Sequence, residues 1–239
     1  MSQKYPGGFI TKSPVAPTSS AASGMWTIDQ AMQLQKQGLW PSPPPSVIGQ
    51  AFGGGFYAGQ ISTAGNSIAD YYLIVGPVAS AQSTLQFKTS NTGSDPTSVI
   101  NGPANSATMN SATYPAAQFC EAVTAGGFTD WYMPAKNELE VCYYNLKPTT
   151  AGNRTDAGIN ANAVPARASN YTSGTPAQTS AAAFVVTTGA QAFSADFYWS
   201  SSGYSSTYAW FQVFDEGRQG YNNFKNSAFL VRAVRRVAV

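Results

Sequence analysis

Apolar and polar positions separate into a few strongly patterned stretches, linked by segments with little period. Tyr71-Tyr-Leu-Ile-Val75 is a short continuous apolar run stopped by Gly76-Pro77, which predicts a central strand, and Leu85 to Lys88 gives a weaker one. From Tyr114 the spacing turns helical. Pro115 sits near the first turn, Ala116, Ala117, Phe119, Cys120 and Val123 share one side, and Gly126-Gly127 closes the helix. A second helix is expected from about Lys136 to Tyr144, burying Leu139, Cys142 and Tyr143 and turning Lys136, Glu138 and Glu140 to water. Alternation returns from Phe197 to Val239. It predicts three strands at Tyr198–Ser201, Tyr208–Phe214 and Leu230–Val237, with turns at Gly203, Glu216-Gly217 and Asn222-Asn223.

The less patterned stretches divide the chain. Residues 1–23 are rich in Pro, Ser, Ala and Gly and read as an extended arm that orders against a partner. A short helix follows, with Thr27 as N-cap, Ile28, Ala31, Met32 and Leu34 within it, and Gly38 as its stop. Trp26, Leu39 and Trp40 at its ends mark it as a docking helix. Pro41 to Pro45 form a stiff spacer. Residues 47–65 read as a glycine-rich, hairpin-like connector. Gly53-Gly54-Gly55 serves tight turning, since no Lys-Ser/Thr pair and no following helix complete a phosphate loop. Residues 145–191 form a long excursion with weak period until Ala183–Val186. The expected organisation is therefore an attachment arm at 1–46, a connector at 47–66 and an α+β domain at 67–239.

Composition then narrows the function. Only 10% of the 239 residues are charged, so the surface must be built from Ser, Thr, Asn, Gln, Gly and Tyr, as in extracellular or virion β-rich proteins. A net charge of +2 is too small for a surface that tracks nucleic-acid phosphates. The absence of histidine removes the commonest general base and metal ligand. Cys120 and Cys142 match no metal spacing and read as small buried side chains, with a disulfide left open. No apolar run reaches the roughly 20 residues of a membrane span, and the first residues lack the apolar core of a signal peptide. Synthesis in a host cytoplasm and release within a virion are expected.

The ordered blocks GGFTDWYMP, NELE on a helix, YWSSS, AWFQVF and VRAVRRV, spread over Tyr114 to Val237, resemble the Lcl-type C-terminal domain family. That family, first noted in collagen-like adhesins, is similar to the C-type lectin-like fold. The resemblance implies two helices with short antiparallel sheets and paired terminal strands, here YYLIV against FLVRAVRRV. More loosely, GMWTIDQAMQLQKQGLWP and YYLIVGP resemble structural proteins of tailed-phage virions. The EPN or QPD loop and WND strand of calcium-dependent lectins are missing, and the spacing of Asp196, Asp215 and Glu216 demands no hard cation. The paired C-terminal cysteines of formylglycine-generating enzymes are missing too. No metal and no cofactor are expected, and no carboxylate pair suggests a glycosidase.

Trp131, Trp199 and Trp210 are expected in the core, and Arg232 and Arg235 as ion-pair partners of Asp130 or Glu138. The candidate recognition residues are Tyr204, Tyr208, Gln212, Asp215, Arg218, Tyr221, Asn222, Asn223 and Asn226, from the turns and the non-core face of the last strands. Tyrosine stacks at low entropic cost while amides satisfy ligand hydroxyls. The expected function is that of a non-enzymatic phage virion protein, a tail fibre or other appendage. It docks on other virion proteins through residues 1–46, is a homo-oligomer, and adheres to a host surface glycan or protein. The alternative is a decoration or collar protein whose polar face packs on neighbouring subunits.

Overall fold

The computed structural model of the chain describes residues 27–36 and 44–239. The expectations for residues 1–23, Trp26, Gly38–Trp40 and Pro41–Pro43 lie outside the described residues. The chain divides into two units, Met1–Pro44 and Pro45–Val239. In the first, helix α1 (Ile28–Lys36) is capped as its sequence indicates: the Gln30 amide donates to Thr27 Oγ1 at 3.2 Å, and the Thr27 amide donates to Gln30 Oε1 at 3.0 Å.

The second unit is mixed α+β, with mostly strands and few helices. Strands β1 (Ala51–Phe52), β2 (Gly55–Ile61) and β3 (Tyr71–Val75) open it, followed by a single turn of helix α2 (Val78–Ala81) and strand β4 (Gln82–Gln86). Helices α3 (Gly102–Thr108), α4 (Pro115–Glu121) and α5 (Lys136–Leu146) come next, then strand β5 (Ala163–Val164). Strands β6 (Phe197–Gly203), β7 (Ala209–Val213), β8 (Gln219–Gly220), β9 (Ala228–Arg232) and β10 (Val234–Ala238) complete the domain.

These strands build two five-stranded sheets, one ordered β1-β2-β3-β10 with β5 on β2, the other β4-β9-β6-β7-β8. Register shifts at Tyr57/Gly59 and Trp199/Gly203 curl them. Strand β3 pairs antiparallel with β10, Val75 opposite Val234 and Tyr71 opposite Ala238, so the apolar run YYLIV and the last strand lie side by side.

Two differences from the sequence expectation stand out. The run expected as one strand at Leu230–Val237 is two strands in different sheets. At Ala233 the chain leaves its pairing with β4 and joins β3. The Ala233 amide donates to Ala81 O and its carbonyl accepts from the Gly76 amide, which holds the crossover in place. The glycine-rich stretch expected as a hairpin-like connector does form a hairpin, but its strand β2 lies inside the first sheet, bonded to both β3 and β5. Within the excursion, Ala182–Phe184 is a 3-10 turn.

The third helix position, α3, carries no apolar stripe that a periodicity search detects. Its sequence GPANSAT starts with Asn101 accepting from the Ala104 amide and Pro103 in the first turn, so it is set by capping.

Helix α5 packs on β2 of the first sheet and on β7 of the second. Eight of its eleven residues are buried and none is fully exposed, and Glu138 and Glu140 are both fully buried, contrary to their expected exposure. Each carboxylate is matched within the protein. Glu138 accepts from Arg236, the Tyr132 hydroxyl and the Ala135 amide. Glu140 accepts from Arg167, the Tyr171 hydroxyl and the Asn160 amide group. Burial pushes the Glu138 carboxyl up, against the pull of Arg236 and the two hydrogen bonds. One helix thus ties the last strand, through Arg236, to the long excursion, through Arg167 and Tyr171. Breaking either pair leaves an unmatched buried charge, at about 3–5 kcal/mol.

The other arginines divide differently from expectation. Arg235 does pair with Asp130, through Nε at 2.7 Å and Nη2 at 2.7 Å. Arg232 has no carboxylate: its guanidinium lies over the Phe184 and Phe193 rings and donates to Gly76 O at 2.8 Å and Gln191 O at 2.8 Å. Burial pushes it down to about 10. Cys120 and Cys142 are both buried and free, and they belong to different core clusters, which settles the open disulfide.

Candidate functional site

Along β7 the side chains alternate across the sheet. Ala209, Phe211 and Val213 enter the core with Trp199, which leaves Trp210 and Gln212 on the opposite face. That face meets α5, and its two residues end differently. Gln212 lies beneath the turn Phe214–Gly217 and donates to Gly217 O at 2.8 Å, so it is buried and unavailable to a partner. Trp210, expected in the core, is only half-buried and stands at the rim under Lys136, whose ammonium sits 4.7 Å from its ring centre.

Around Trp210 the turns assemble an aromatic platform. Tyr204 stacks on Tyr221 with ring centres 4.0 Å apart and 24° between planes, and both meet Trp210 edge-on at 5.4 and 4.9 Å. Tyr204 is 46% and Tyr221 43% exposed, so the stack is open to solvent although its rings hold one another in place. A second pair, half-buried Tyr208 and exposed Phe224, lies on the bridged turns nearby, ring centres 5.5 Å apart.

Tyr221 also forms one wall of an open hollow of about 230 Å³, lined by Arg154, Asp156, Arg218, Gln219, Gly220 and Asn222. Within it Arg154 grips Asp156 with two bonds, Nε to Oδ1 at 3.1 Å and Nη2 to Oδ2 at 2.7 Å. Arg218 donates to Asn222 Oδ1 at 2.9 Å. The bonds from Arg154 hold the Asp156 carboxyl below its ordinary value, so it is ionised at neutral pH. The Arg154 amide donates to Glu216 O at 2.8 Å, which ties the excursion to the β7–β8 turn and places its side chain beside Arg218.

The turns are fixed from below by a buried charge cluster. Lys225 donates to Asp95, to Ser205 O, to Ser206 O at 3.0 Å and to Gly93 O at 3.4 Å. Asp95 also accepts from Lys88 at 2.9 Å and from the Tyr114 hydroxyl at 2.6 Å. Burial alone would raise the Asp95 carboxyl, but these bonds outweigh it and hold it below the ordinary value.

Of the nine residues chosen from sequence, Tyr204, Arg218, Tyr221 and Asn222 meet at the platform and hollow. Tyr208 belongs to the neighbouring pair. Asn223 is half-buried and lines no part of the hollow. Asn226 is exposed, but its backbone bonds to Asn91 and Gln86 place it towards β4. Asp215 is half-buried in its turn, where its carbonyl accepts from Thr149. Sequence reasoning missed Trp210, Lys136, Arg154, Asp156 and Phe224. Period-two alternation with Phe211 marks Trp210 as outward-facing, whereas nothing local marks Arg154 and Asp156.

Among the described residues no group of three His, Cys, Asp or Glu side chains is placed to hold a metal ion, and no helix is long and apolar enough to cross a membrane. The arrangement offers stacking surfaces and hydrogen-bonding groups, and its one ionised acid in the hollow is already held by an arginine.

The elements from helix α2 through strand β9 fall within a recognised domain type: the model of the Lcl C-terminal domain family matches residues 78–235, about two thirds of the chain. The chain belongs to that family. No curated protein matches it.

Proposed function

We propose that this chain is a non-enzymatic structural protein of a tailed-phage virion, a fibre or appendage. Its domain has a C-type lectin-like architecture and adheres to a glycan or protein on the host surface. The pairing of Tyr71–Val75 with Val234–Ala238 supports that architecture, because it brings the two ends of the domain together and leaves the turns of the second sheet for recognition. The observation that carries the function is the solvent-open stack of Tyr204 on Tyr221, held edge-on by Trp210 beside a polar hollow. Large rigid aromatic rings with polar tips, fixed before binding, lose little entropy on contact.

The absence of enzymatic activity is supported by the state of the acids. Glu138 and Glu140 are buried and saturated with donors, so neither presents a carboxyl group to a substrate. Virion membership rests on the low charge and the polar, uncharged surface chemistry of the sequence, with residues 1–46 as the attachment segment to other virion proteins. Many copies on one particle would turn a weak single contact into stable attachment.

The test is adhesion of purified protein, and of particles carrying it, to host cells. Tyr204→Ala with Tyr221→Ala should abolish adhesion and leave the folded state intact, since both rings are exposed. Unchanged adhesion refutes the site. A particle structure in which a neighbouring subunit covers Tyr204, Tyr221 and Phe224 would replace adhesion by the decoration-protein reading.

A further inference from the structure

Hydrogen-bond donors around the β7–β8 turn are spent, and two of its buried oxygens are left over. The Gln212 residue is 1% exposed, and its amide nitrogen donates to Gly217 O at 2.8 Å. That bond fixes the orientation of the amide, because only its nitrogen can donate, and leaves Oε1 as a buried acceptor with no donor. In the same turn Asp215 Oδ1 is also buried and without a donor. Buried acceptors in this state are rare and mark a missing partner. The surrounding groups do not supply it. Lys147, the ammonium on which the Asp215 charge acts, has its N–H groups on Ala151 O, Asn153 Oδ1 and Pro176 O. The Tyr143 hydroxyl donates to Asn153 and the Thr149 hydroxyl to the Asp215 carbonyl, while the Gly217 amide donates to Val213 O and the Arg154 amide to Glu216 O.

Charge separates an ion from a water molecule as that partner. Asp215 and Glu216 enter no ion pair among the described residues. Arg154, on which Glu216 also acts, is held bidentately by Asp156. The turn therefore carries two carboxylates with no matched cation, and water would hydrogen-bond the orphaned oxygens without offsetting their charge. Ligation by oxygen alone suits a hard cation. Magnesium demands a near-ideal octahedron and gives up its water reluctantly, whereas calcium accepts an irregular shell of oxygens. From the orphaned oxygens and the unmatched charge we infer that the turn at residues 212–217 binds a calcium ion through Asp215 Oδ1 and Gln212 Oε1, with water completing the shell. Asp215 is half-buried, so the ion reaches the turn from solvent on its side. A single carboxylate ligand makes the site weak, with a Kd of roughly 0.1–1 mM. The ion stiffens the turn from which Arg218 to Asn222 run on to line the hollow.

The experiment is calorimetric melting of the full chain, first freed of ions with EDTA and then scanned at one ionic strength with sodium, potassium, magnesium or calcium chloride. Calcium at about 10 mM should raise the melting temperature by about 3–10 °C, as mass action on a site of that affinity requires. Magnesium and the monovalent salts should leave it in place. Equilibrium dialysis against radioactive calcium should find one ion per chain. Asp215→Asn should lose the calcium shift yet melt no lower than wild type in EDTA, because it removes an unpaired carboxylate and no made contact of that group. Absence of both the calcium shift and bound calcium would overturn the inference and leave water as the partner of the two oxygens. A calcium shift that survives in Asp215→Asn would overturn the assignment to this turn, and a shift given by sodium or potassium instead would overturn the choice of ion. Equal destabilisation by Asp215→Asn in EDTA and in calcium would show a purely structural side chain and overturn it too.

Discussion

Lys225 is a lysine without access to water, and replacing it by methionine tests whether the recognition turns hang on one buried ammonium. Its side chain and that of Asp95 are both fully buried, whereas that of Lys88 keeps 8% exposure. Lys225→Met removes the strongest partner of Asp95 and the donor for the carbonyls of Ser205, Ser206 and Gly93. Breaking a buried pair on one side costs about 3–5 kcal/mol, and the retained bonds from Lys88 and Tyr114 place the loss near the lower end. Unfolding entropy for a domain of about 150–250 residues converts each kcal/mol into about 2–4 °C, so a fall of about 6–12 °C in melting temperature is expected. Lys88→Met should cost less, about 1–3 kcal/mol, because Asp95 keeps Lys225 and the lost amine sits near water. Asp95→Asn should cost most, since it leaves two ammonium groups with no counter-charge.

Differential scanning calorimetry at neutral pH reads the order directly. A fall below about 3 °C for Lys225→Met, or a larger effect from Lys88 than from Lys225, would refute the reasoning. Acid provides an independent check. The folded carboxyl of Asp95 lies below its ordinary value of 3.8, so its contribution is fully present above that value and is lost as pH falls through the folded one. The gap between wild type and Lys225→Met should therefore be widest at neutral pH and narrow below about 4, keeping the part due to the lost bonds to the Ser205, Ser206 and Gly93 carbonyls.

Three further outcomes follow from particular contacts. Gly217→Ala should destabilise by about 2–4 kcal/mol in denaturant titration, because φ is +75° and a Cβ would stand 2.4 Å from the Tyr143 ring; a change under about 0.5 kcal/mol would refute it. Neither Cys120 nor Cys142 should react with Ellman's reagent in the folded protein, since both are fully buried and burial raises both thiols; both should react in denaturant, and a fast native phase would contradict the packing. Glu140→Gln should release the excursion without unfolding the sheets, seen as faster amide exchange at Asn160, Arg167 and Tyr171 than at Leu73 and Val231; uniform exchange would show that the Glu140 contacts do not hold it.

What the sequence determined by itself was local. A continuous apolar run placed β3, alternation placed β6 and β7, proline at the first turn and terminal glycines marked α4, and Thr27 marked the cap of α1, because each signal spans a few neighbouring residues. Turn chemistry singled out Tyr204, Arg218, Tyr221 and Asn222 as outward, whereas Trp210 was expected in the core. Only the tertiary structure decided which exposed positions meet. Asp156 and Arg218 are 62 residues apart in the chain yet wall one hollow, and a β-turn at Gly217 buries Gln212 although its strand position alone predicts an open one. Glu138 and Glu140 make the same point in reverse: a helix reads as amphipathic against one packing partner, but α5 has a sheet on either side, and charges that a single interface would leave in water become its internal ties. Burial of charge depends on what arrives from elsewhere in the chain, which no window along α5 contains.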